Sequence, residues 1–154
     1  MADVTVDITI SMVSYKAWLT TSYIATTMVG EGGTPIIVNN ELSPDQEDAF
    51  TVLLDEATRE LLKVFASRQG NVSGTPFEKT STHVIYRFKE ETPLLPQAAS
   101  IKEALNEDVK NALFSWITFQ WLNMKNNDKQ SAFVFARYQR LIQDISGNIH
   151  RLHD

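Results

Sequence analysis

The side chains that could carry chemistry lie far apart in this sequence. His150 and His153 stand three apart with Asp154 beside them, a spacing that on a helix could offer two ligands to a metal. They are also the last residues of the sequence, where helix ends fray and a basic side chain suits a helix C-terminus. A terminal helix end is therefore the expectation. Glu56 with Glu60, and Glu103 with Glu107, are carboxylates one helical turn apart, the kind of pair that general acid–base catalysis uses. Each pair lies opposite or beside an apolar stripe, so solvated helix faces are expected. Gly30 to Gly33 has the glycines of a phosphate loop but not its lysine, and Pro35 follows, so it reads as a turn. His83 reads as a surface histidine. Asn71-Val72-Ser73 matches a glycosylation acceptor, which is empty without a signal peptide, and no serine sits in a Gly-x-Ser-x-Gly context. No enzyme, metal or cofactor is expected from these residues.

The elements that would have to position such groups are clearer. Residues 4 to 12 alternate, with Val4, Val6, Ile8, Ile10 and Met12 on one face and Thr5, Asp7, Thr9 and Ser11 on the other. That is a half-buried strand, able to pair within its own sheet or with a neighbouring subunit. Residues 14 to 28 mix a helical stripe (Tyr15, Trp18, Leu19, Ser22, Tyr23) with β-branched threonines, and a short helix is expected. Ile36-Ile37-Val38 reads as a short strand. A helix then opens at Ser43-Pro44, with Gln46 completing a capping box, and carries Phe50, Leu53, Leu54, Ala57, Leu61, Val64 and Phe65 as its stripe towards a stop at Gly70. Phe77 to Lys89 returns to period two, with Val84, Tyr86 and Phe88 on one side, a natural partner for the first strand. Pro93 and Pro96 interrupt regular structure. Helices follow from about Ala99 to Met124 and from about Lys129 to near His150, joined by a short polar turn into an antiparallel hairpin. Gly147 weakens the last turns of the second.

The densest signal is Ala112 to Met124, ALFSWITFQWLNM, whose apolar residues cover most of the helix circumference. A helix buried on one side needs only a stripe. Either the rest of the chain surrounds this helix, or part of it is covered by another subunit. Trp116, Phe119 and Trp121 could stack bases, but no basic frame surrounds them, so a core or subunit contact is expected.

Composition sets the class. A chain of 154 residues is one domain by length, long enough to bury a real core. Residues 1–92 form its strand/helix/strand part and 97–154 its helical hairpin. No apolar run reaches the ~18 to 20 residues that span a bilayer, and the acidic, alternating N-terminus does not read as a signal peptide. There is no cysteine and hence no thiolate or disulfide chemistry. The net charge is −5, with −6 in residues 1 to 101 and +1 in the remainder. A concentrated basic face for gripping nucleic acid is missing; a protein that surrounds DNA without gripping it stays open. Lys125, Lys129, Arg137, Arg140 and Arg151 gather on the last hairpin, where a solvated face is the expectation.

The C-terminal third carries Ala112-Leu113, Trp116 and Trp121, then a short polar turn, then Ala132, Ala136-Arg137-Tyr138 and Leu141. This cadence resembles the closing helical hairpin of small head–tail connector (adaptor, neck-ring) proteins of tailed bacteriophages. The order of Asp7-Ile8-Thr9, Thr20-Thr21-Ser22-Tyr23, the acidic run Asp45 to Asp48 and Leu113-Phe114-Ser115 is similar to small virion proteins of Bacteroidales phages, including the crAss-like group. The proline-rich link at Pro93 to Pro96 departs from that pattern. The resemblance implies a ring of identical subunits, commonly twelve, stacked under the portal in the virion neck after assembly in the host cytoplasm. It brings no catalytic residues. The expectation is an α+β fold with a small antiparallel sheet and three main helices. Its function is structural, with portal and tail proteins as partners, packaged DNA nearby and no membrane. Val4, Val6, Ile8, Ile10, Trp116, Phe119 and Trp121 are expected at subunit interfaces. A tail terminator or completion protein, or a free-standing binding domain with a small apolar pocket, are the competing functions.

Overall fold

The computed structural model of the chain describes residues 2–25, 42, 46–69, 72, 74–90, 98–125 and 128–152. The element order is β1 (Ala2–Thr9), α1 (Ile10–Ala25), α2 (Glu47–Phe65), β2 (Phe77–Lys79), β3 (His83–Glu90), α3 (Ala98–Met124) and α4 (Asp128–Arg151), with a single 3-10 turn over Ala66–Arg68 after α2. The fold is α+β. Its three-stranded antiparallel sheet has the order β1-β3-β2. Among the described residues it carries four α-helices, and the segment after β1, where the sequence predicts a short helix, forms one of 16 residues.

The alternation in the two long strands sets the sheet's buried face. Val4 pairs with Phe88, Val6 with Tyr86 and Ile8 with Val84. All six side chains are buried. A one-residue slip would turn every one of them to the polar face. That face holds Thr5, Asp7 and Thr9 against Arg87, Ile85 and His83.

Two strand boundaries differ from expectation. β1 ends at Thr9, not at Met12, and Ile10 opens a helix. The Ile10 N–H donates to Thr82 O (2.9 Å). At that point β3 has begun its turn into β2, so no partner strand remains and the backbone closes its hydrogen bonds within a helix. The expected strand Phe77 to Lys89 is likewise a hairpin. The Thr80 hydroxyl accepts from the N–H of His83 (2.9 Å) and of Thr82 (3.3 Å), a local bond that competes with the ladder and folds the chain back.

One continuous core joins the sheet to all four helices. α3 lies at its centre, packing on α4, α2, α1 and β1. This position accounts for its near-uniform apolar surface. Leu105, Val109, Leu113, Ile117, Trp121 and Leu122 are buried in several directions at once. The α2 stripe is buried at Phe50, Leu53, Leu54, Ala57, Leu61 and Phe65. The expected strand 36–38, the caps at Ser43-Pro44 and Gly70, and the proline link lie outside the described residues.

Candidate functional site: an open aromatic groove

Where α3 passes between α2 and α4, its outer side is left partly open. Trp116 and Phe119 are one turn apart on α3, and Phe135 and Tyr138 one turn apart on α4, so antiparallel packing interleaves the two pairs. Trp116 meets Phe119 edge-on at 5.5 Å and Tyr138 at 5.2 Å, while Phe119 stacks on Phe135 at 4.6 Å. Ser131 fixes the register by donating to Asn123 Oδ1 (2.6 Å). Val64 of α2 and Ile142 of α4 extend the apolar floor, and Glu60, Lys63, Gln120, Gln139, Gln143 and Ser146 line the rest. The groove encloses about 800 Å³ and is open to solvent. Its polar rim is largely neutral amide. Glu60 accepts from Lys63 at 2.9 Å, which neutralises the α2 edge. Burial, helped by Glu60, pushes the Tyr138 phenol up to about 12. The Trp116 indole N–H is buried without an acceptor.

The residues expected at interfaces fall into two groups. Trp116 and Phe119 are half-buried and form the groove. Val4, Val6 and Ile8 are buried in the sheet core and Trp121 is only 2% exposed, so their side chains are used up within the chain. Within the chain β1 packs on β3, α3 and α1, and it forms one edge of the sheet. Ile10 is on α1, half-buried against the same core. Sequence reasoning missed Phe135, Tyr138 and Ile142 as groove residues. Phe135, Tyr138, Ile142, Ile145 and Ile149 fall on one apolar face of α4, and only the placement of α2 shows which part of that face stays open.

The other candidate groups serve the fold. Glu107 accepts from Lys110 (2.9 Å), and this bond holds its carboxyl below the usual carboxylate range, the opposite of what a general acid needs. Glu56 and Glu103 are exposed. His83 Nδ1 lies 2.8 Å from Asp7 Oδ1 on the polar face of the sheet. Of His150, His153 and Asp154 only His150 is described, exposed near the end of α4. No cluster of three or more metal-ligating side chains occurs among the described residues. Of the basic residues on the last hairpin, Lys125 lies over the Trp121 ring (4.7 Å), Arg137 over Phe114 (5.7 Å), and Arg151 donates to Asn148 (3.0 Å). Lys16 of α1 also lies over the Phe114 ring (5.3 Å) and donates to Asn111 (2.9 Å), tying α1 to α3. Burial, with Lys110 nearby, lowers its amine below the ordinary lysine value.

A second cavity of about 540 Å³ sits where β1 enters α1, lined by Ser11, Ser14, Thr51 and the Thr80–Thr82 turn. Its Thr80 hydroxyl is occupied by the turn, and its Lys79 is paired with Asp55. No described helix is long and apolar enough to cross a membrane. Comparison with known proteins finds no family model that matches the chain, no similar curated protein and no similar solved structure.

Proposed function

We propose that this protein is a structural subunit that works by assembly: one copy of an oligomeric ring in the neck of a tailed phage, between portal and tail. The open aromatic groove carries the reading. Monomers scatter exposed apolar residues singly, whereas a connected apolar surface marks an interaction site. Here four aromatic rings, two of them from the resemblance-bearing helix, meet at one open face. Among the described residues the groove's one carboxylate, Glu60, is paired with Lys63. The excess of acidic over basic residues in the chain also suits a ring wall past which DNA slides without sticking.

Native mass spectrometry of the purified chain, alone and mixed with a candidate portal protein, tests the proposal. A closed ring in either sample is the expected result. A strict monomer in both overturns it. The second reading, a free-standing binding domain, is favoured by the groove's volume, which falls within the range of small-molecule sites. A monomer whose melting temperature rises with an apolar ligand would establish that reading instead.

A further inference from the structure

We draw no further inference here: the strongest candidate, the exposed apolar patch of Met12, Tyr15 and Leu19 on the outward face of α1, is a helix face for which nothing in the structure shows what covers it.

Discussion

The molecule contains two clusters of four aromatic rings that have opposite fates. In the first, Phe65 of α2 lies 5.1 Å from Tyr86 and 5.3 Å from Phe88 on β3, and Phe77 lies 5.2 Å from Tyr86. Phe65, Tyr86 and Phe88 have no exposed surface, and the Tyr86 hydroxyl donates to Thr58 O at 2.9 Å. In the second, Trp116, Phe119 and Phe135 make comparable ring contacts with one another and with the buried Tyr138 but stay half-open themselves, and the indole N–H has no acceptor. The first cluster is closed by residues distant in sequence, with its one phenol hydrogen-bonded. The second is closed only as far as α2 reaches. Ring contacts alone therefore do not separate a core from an interface. Completeness of cover does.

Truncation separates the two most sharply. Tyr86→Ala removes a fully buried ring and a satisfied hydrogen bond, a loss of about 3–5 kcal/mol, a large fraction of the stability of a domain. Phe119→Ala removes a half-buried ring and costs about 1–2 kcal/mol of monomer stability, while abolishing assembly. Urea unfolding of both variants checks this. Equal losses would mean that the groove is core, and the comparison between the clusters would fail.

Alkaline titration gives a smaller contrast within the open cluster. A phenolate at Tyr138 is opposed by burial and by Glu60, so the folded chain holds the proton to about pH 12. The unfolded chain releases it near pH 10. Tyr138 therefore contributes stability that is fully present below about pH 10 and is lost as the pH rises towards 12. Tyr138→Phe should reduce the fall in melting temperature across that window and remove one tyrosinate absorbance step near its upper end. An unchanged slope would place the phenol in water. Burial also raises Tyr86, so the variant must be compared with wild type and not with a flat baseline.

Much of the fold was legible because local rules and global packing agree. Period two in residues 4–8 and 84–88 gave the face of the sheet and the partners β1 and β3, since only that register buries Val4, Val6, Ile8, Val84, Tyr86 and Phe88 together. The helical hairpin was legible from a polar turn between two long apolar patterns. Strand ends were not, because they depend on where a partner stops: Ile10 continues the alternation of β1 yet has no strand left to face. The outward row on α1 is visible in the sequence as Tyr15, Leu19 and Tyr23 of a helical stripe, with no sign of whether that stripe is covered. A sequence pattern shows that a face is apolar, and only packing shows which of two apolar faces is covered. For the same reason Trp116 and Trp121, alike in sequence, part company: five residues along α3 turn one into the groove and the other into the core.

The smallest predicted effect is the most specific to the open cluster. An unpaired buried donor costs about 1–3 kcal/mol. The Trp116 N–H is such a donor. Trp116→Phe gives up ring area and dispersion contacts but also removes that donor, so the two changes offset and monomer stability should shift by less than about 1 kcal/mol. Tyr86→Phe is the matched control in the sealed cluster. It keeps the ring but removes a bond to Thr58 O that is satisfied, and should cost about 1 kcal/mol with no compensating relief. Aromatic-to-Phe changes would then be nearly neutral where the polar atom is unpaired, even though the larger ring is lost, and costly where it is paired, even though the ring is kept. A loss of 3 kcal/mol or more for Trp116→Phe would show that the indole N–H has an acceptor and that the groove wall is as complete as the core.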